Sequence, residues 1–128
     1  MRAYIAAPYP ERDQAIRIMR MLELQGIEVT STWLRSPDTL SDEHARVDLA
    51  DVARADVLVA LNPESWNERG TGGRHVEFGY ALALGKPIVL VGERSNIFHY
   101  LDIVKRIDDS EDITKQVLKA GDRVGVSE

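Results

Sequence analysis

The sequence predicts a three-layer α/β domain: a five-stranded parallel sheet in the order 2-1-3-4-5 with helices on both faces, the flavodoxin-like or Rossmann-like arrangement. Three observations predict it. Short β-type runs alternate with helix-type segments along the whole chain. The inner runs, "DVLVALN" (56–62) and "PIVLVG" (87–92), are almost wholly apolar, as strands covered on both faces are. Five such runs in 128 residues match one doubly wound sheet, most simply a single domain.

The elements follow in order. "RAYIAA" (2–7) reads as a buried strand. "PERDQAIRIMRMLELQG" places Ala15, Ile18, Met19 and Leu22 at i, i+3, i+4, i+7, the spacing of one helical face. Pro10, Glu11 and Asp13 suit its first turn, and Gly26 its end. "IEVTSTWL" (27–34) alternates with β-branched residues and reads as a second strand. A helix starting near Ser41 carries Ala45, Leu49 and Val52 on one side. The third strand at 56–62 leads into "PESWNERGTGG" (63–73), a long polar loop of the kind that carries function. A helix from "GGRHVEFGYALALG" precedes the fourth strand, "IVKRID" forms an edge strand, and "SEDITKQVLKAG" closes the fold as a helix capped by Ser110. Residues 1–121 are thus one domain, with 122–128 a frayed tail.

Composition narrows the function. Hydrophobic residues make up 44% and charged residues 29%, an ordinary globular balance. A net charge of -5 argues against nucleic acid or an anionic membrane as partner. There is no cysteine, which removes disulfides, thiolate metal sites and a cysteine nucleophile, and suits a cytoplasmic location. The chain starts without a signal peptide's apolar core, and no apolar run reaches the roughly 18 residues of a membrane span. His44, His75 and His99 show no metal-ligand spacing, so neither a metal nor another cofactor is expected.

In such sheets ligands sit beyond the carboxyl ends of the strands, at the switch point between strands 1 and 3. The loops there are "APYPER", "NPESWNERGTGG" and "GERSN". Glu77 stands at the start of the helix after the second of them, among Val76, Phe78 and Ala81. The plain explanation is a first-turn carboxylate favoured by the helix dipole. The chemical one is that helix-start N–H groups keep Glu77 ionised while apolar neighbours limit its hydration, which makes a nucleophile.

The run "ADVLVAL…GGRHVEFGYALALGKPIVLVG" resembles the nucleoside 2-deoxyribosyltransferase family, which includes 2'-deoxynucleoside 5'-monophosphate N-hydrolases. The similarity runs through most of the chain, and the helix motif of Glu, Gly two residues on, an Ala-rich turn and Gly-Lys is fairly specific. The resemblance implies that Glu77 attacks C1' of a deoxyribose and expels the base, with a second acceptor releasing the glycosyl ester. A base acceptor makes a transferase; water makes a hydrolase.

It also implies the supporting residues. Asp48 would hold substrate or assist the leaving base; the alternative is a solvated helix carboxylate. Tyr9 would pack on sugar or base, its hydroxyl within reach of Glu77. Arg12 would meet a 5'-phosphate, or else is a surface arginine; its loop lacks the glycines of the family's phosphate grip. Thr71, six residues before Glu77, is closer to the phosphate-binding serine of the hydrolases than to the aspartate of the transferases. With Gly72, Gly73, Arg74, Arg69 and His75 it would form an anion cradle; the alternative is a loop of solvated arginines. Asn96 falls where the family supplies a residue from the neighbouring subunit, which implies a homodimer or larger homo-oligomer with shared sites; the alternative is a turn asparagine before a short helix. Apart from the resemblance, Trp33 at the end of strand 2 is a candidate wall of the base pocket and Trp66 in the long loop a candidate lid, with core or rim packing as the alternative for both. Asp51 and Asp56 read as structural, Asp51 as a helix-surface charge.

Other readings are weaker. There is no Pro-Gly-Gly before "GTGGRHVE", as a phosphoribohydrolase would have, no G-x-G-x-x-G after strand 1 and no P-loop. The alternative in a different class is a non-catalytic nucleotide-binding or sensor module of the same fold.

Overall fold

A computed structural model describes residues 1–36, 41–63, 72–108 and 113–126. Five parallel strands form one sheet: β1 (Arg2–Ala6), β2 (Glu28–Val29), β3 (Val57–Asn62), β4 (Ile88–Gly92) and β5 (Val104–Ile107). Their order is β2-β1-β3-β4-β5, as the sequence predicts. Register runs Tyr4 to Leu58 between β1 and β3, and Asn62 to Gly92 at the end of the β3–β4 pair. Among the described residues four α-helices cover the sheet: α1 (Arg12–Leu24), α2 (Asp42–Arg54), α3 (Gly73–Ala83) and α4 (Ile113–Val126).

Strand alternation divides the core into two layers. Ala3, Ile5, Val57, Val59 and Val89 face α1 and α4, where Ile18, Leu22, Ile113 and Val117 are fully covered. Tyr4, Ala6, Leu58, Ala60 and Leu90 face the opposite way, against Val52 of α2 and Phe78 and Ala81 of α3. The helical face read from Ala15, Ile18, Met19 and Leu22 is the buried face of α1. Ser41 caps α2 by accepting the His44 N–H at 3.1 Å. The predicted Ser110 cap lies outside the described residues; α4 continues to Val126, past the expected end at Gly121.

One element is much shorter than the alternation predicts. β2 has two residues, and Thr32–Leu34 is a 3-10 turn. Side chains take the place of the ladder here. Ile5 N–H donates to Ser31 Oγ at 2.9 Å, and Ile5 C=O accepts from Trp33 Nε1 at 2.9 Å. Thr30 Oγ1 donates to the Asp51 carbonyl at 2.8 Å. With both backbone groups of Ile5 satisfied by side chains, nothing remains to hold an extended β2, and the chain turns over the carboxyl end of β1. A second 3-10 turn, Tyr9–Glu11, occupies the expected first turn of α1.

Candidate active site

The switch point between β1 and β3 brings Glu77 against a residue 73 positions away. Tyr4 is fully buried, and a phenol in that position requires a partner for its hydroxyl. Tyr4 Oη donates to Glu77 Oε2 at 2.6 Å, a length typical of a hydroxyl bound to a carboxylate. The hydroxyl on Glu77 therefore belongs to Tyr4, on the strand; Tyr9, in the loop expected to supply it, is 48% exposed. The signal in the sequence was a phenol in an otherwise aliphatic strand, "AYIAA", whose i, i+2 partners face the helix layer.

Glu77 is also placed differently from the expectation. Gly72, with φ of 85°, caps α3, and Gly73 is its first residue, so Glu77 lies fifth, beyond the first turn. The free N–H groups of the helix start are a turn away and do not keep it ionised. The balance runs the other way. Burial pushes the Glu77 carboxyl up from 4.5 to about 7. The Tyr4 hydrogen bond opposes that rise, and the negative charges of Asp48 and Asp51 add to it. Tyr4 is raised in turn, by burial first and then by Glu77.

These values link acidity to stability. In the unfolded chain Glu77 titrates near 4.5, and in the folded chain near 7. Between those values the folded state holds a proton that the unfolded state has lost. Stability from this group is complete below pH 4.5 and is lost as pH rises through 7. Glu77→Gln keeps an acceptor for Tyr4 and carries no charge. It is expected to be more stable than the wild type at pH 8.5, by on the order of 3 kcal/mol, and to converge on it near pH 4.5. Urea midpoints at the two pH values check this; a constant difference would refute it.

Asp48 is half-buried on α2 and close enough to influence both Glu77 and Tyr4. Asp51, expected on the surface, is 4% exposed. Its Oδ2 accepts the Thr32 N–H at 3.0 Å and its Oδ1 accepts from Arg54 at 3.0 Å, which ties α2 to the turn carrying Trp33. The spacing of three from Asp48 places both on one side of α2. Trp33 is held by Ile5 and packs against both core layers, as a wall over the end of β1.

Of the arginines expected to meet phosphate, Arg12 and Arg74 both reach protein groups. Arg12 Nη2 donates to Leu34 O at 2.9 Å and Ser36 O at 3.4 Å, bracing the Trp33 turn; its Nε is buried and has no hydrogen-bond partner among the described residues. Arg74 Nη1 donates to Leu61 O at 3.1 Å and Asn62 Oδ1 at 2.8 Å, pointing back onto β3. His75 is held below its ordinary value by burial and by the Arg74 charge, so it adds little positive charge at neutral pH. Thr71, Arg69 and Trp66 lie outside the described residues. Asn96 is exposed and caps the 3-10 turn Ile97–Tyr100, its Oδ1 accepting the Phe98 N–H at 2.9 Å.

A groove of about 510 Å³ runs between α3 and that turn, lined by His75, Phe78, Gly79, Leu82, Asn96 and Phe98. Residues 75, 78, 79 and 82 share one helical face; Glu77 lies on the other flank, toward α2 and β1. The helix thus separates an apolar groove from the acidic cluster of Glu77, Asp48 and Asp51.

No family model matches the sequence, and no curated protein matches it. Among solved structures the chain is similar to the CMP N-glycosidase BcmB of Clostridium botulinum, with a TM-score of 0.65 and 23% identity over 93% of this chain and 99% of that one. At that identity, what the two share is the fold.

Proposed function

We propose that this chain is an enzyme that breaks the N-glycosidic bond of a nucleoside or its 5'-monophosphate, passing the sugar to water or to another base. The observation that carries the proposal is the pair of Tyr4 and Glu77: a largely buried carboxylate, 2.6 Å from a phenol, titrating near neutral pH. Carboxylates shifted by burial and neighbouring charge cluster at functional sites, and ligands of such sheets bind beyond the carboxyl ends of the strands. The protein of like fold is a CMP N-glycosidase by name, which favours a monophosphate.

The residues act as follows. Tyr4 engages Oε2 and leaves Oε1 of the ionised Glu77 to attack C1'. The C1'–N bond breaks, and its electron pair leaves with the base. A proton from water held against Asp48 neutralises the departing nitrogen. Water, with its proton taken by the same group, then cleaves the glycosyl ester and restores Glu77. Trp33 provides the fixed wall for the base. Phosphate would be held by the N–H groups of Gly73 and Arg74 behind Gly72, together with Thr71; Arg12 and Arg74 act chiefly as braces. The deoxy sugar is favoured because its cation forms more readily. Asn96 and the exposed Ile97, Phe98 and Tyr100 form a face for a second copy, which makes the working unit a dimer or larger.

The test is a panel of nucleosides and monophosphates, ribo and deoxy, each with and without acceptor base, read for free base and exchanged product. A 2'-fluorinated arabinonucleotide is expected to leave a glycosyl mass on Glu77, and sedimentation is expected to give a dimer or larger. Tight nucleotide binding with no turnover and no adduct would point to a sensor module and refute the enzymatic reading.

A further inference from the structure

The polar contacts at the end of β3 are not used by the mechanism above. Asn62 is the sole polar residue of β3 and is 5% exposed. A buried amide is destabilising unless its oxygen and nitrogen both find partners. Here both do. Oδ1 accepts from Arg74 Nη1 at 2.8 Å, a charge-assisted bond. Nδ2 donates to Ser95 Oγ at 3.0 Å and to the Glu93 carbonyl. With a cation on one side and a carbonyl on the other, only one orientation of the amide satisfies both.

The contacts continue beyond the amide. Ser95 N–H donates to His99 Nδ1 at 2.9 Å, and the His99 ring meets Phe78 edge-on, centroids 5.1 Å apart. Arg74 and Phe78 are four residues apart on α3, so one side of the helix is joined to the 93–100 segment twice, once directly and once by way of β3. One contact runs through Asn62 and the other through His99. Glu77 lies between them in sequence, and Asn96 lies within the segment they hold.

We propose that Asn62 is a positioning residue that locks the first two turns of α3 to segment 93–100, so that the placement of Glu77 and of Asn96 is set by one shared clamp. Its effect on turnover rests on the function proposed above; its effect on the segment does not.

Asn62→Asp and Asn62→Ala separate the possibilities. Asp keeps the acceptor for Arg74, loses both donated bonds and sets a carboxylate against the Glu93 carbonyl. Ala loses all three contacts. Amide hydrogen exchange is read at Ser95, Phe98 and His99, with Tyr4 and Ile5 as the core reference. Both variants are expected to exchange at least about tenfold faster at the three loop amides, with the core reference unchanged. If dCMP and CMP are turned over, Asn62→Asp is expected to lower kcat at least about fivefold with a smaller change in KM, because Glu77 is misplaced while substrate contacts stay. Unchanged loop protection in the folded Asn62→Asp protein would overturn the clamp, and so would faster loop exchange with kcat fully retained. If the wild type turns over neither nucleotide, the function proposed above fails, and the exchange data still decide the clamp.

Discussion

Replacing Glu77 by Ala or Gln is expected to lower turnover of the preferred nucleotide by at least about 10²-fold, the scale of losing an essential catalytic group. The Gln variant is the sharper test, since it retains the Tyr4 contact and the packing and removes only the anion. The wild-type pH profile is expected to carry the same group. Nucleophilic attack needs the ionised carboxylate, and its proton leaves near pH 7. kcat/KM is therefore expected to rise about tenfold per unit below pH 7 and to level off above it. Tyr4→Phe removes the hydrogen bond that favours the ionised form, so its rising limb is expected at higher pH than in the wild type. Near-wild-type turnover in Glu77→Gln, or a limb that stays in place in Tyr4→Phe, would remove this pair from the chemistry.

Gly92→Ala is expected to destabilise the fold by about 3 kcal/mol or more, without touching a substrate contact. Gly92 ends β4 opposite Asn62 with φ of 115°, a conformation that L side chains rarely adopt. A Cβ there would lie 2.0 Å from the Asn62 carbonyl oxygen and 2.9 Å from its carbon. Both are backbone atoms, so the clash can be relieved only by parting the ends of β3 and β4, which carry the Asn62 clamp. Gly79→Ala is the contrast: a Cβ there meets nothing within 4 Å, and the residue lies inside α3. It is expected to gain roughly 0.5–1 kcal/mol from helix propensity. Urea unfolding of the two variants measures the difference. A Gly92→Ala midpoint equal to that of the wild type would show that the strand ends yield easily.

Much of this fold was legible in the chain. Apolar runs of strand length separated by amphipathic helices leave few arrangements that bury every apolar face, and the doubly wound sheet is the one that suits this length. The helix that carries Glu77 was legible for the same local reason: its spacing is a property of adjacent residues. β2 was misread because alternation reports which residues suit a strand, while Ser31 and Trp33 take the backbone groups that a longer strand would need. What only the tertiary structure decided are the partnerships between distant residues. Tyr4 meets Glu77 across 73 positions, Asp51 is buried by the Trp33 turn, and Arg12 and Arg74 are drawn onto protein carbonyls. Residue type and periodicity set which face a side chain takes. The acidity of Glu77 depends on how much water its surroundings exclude and which charges stand near, and those are settled when the layers close.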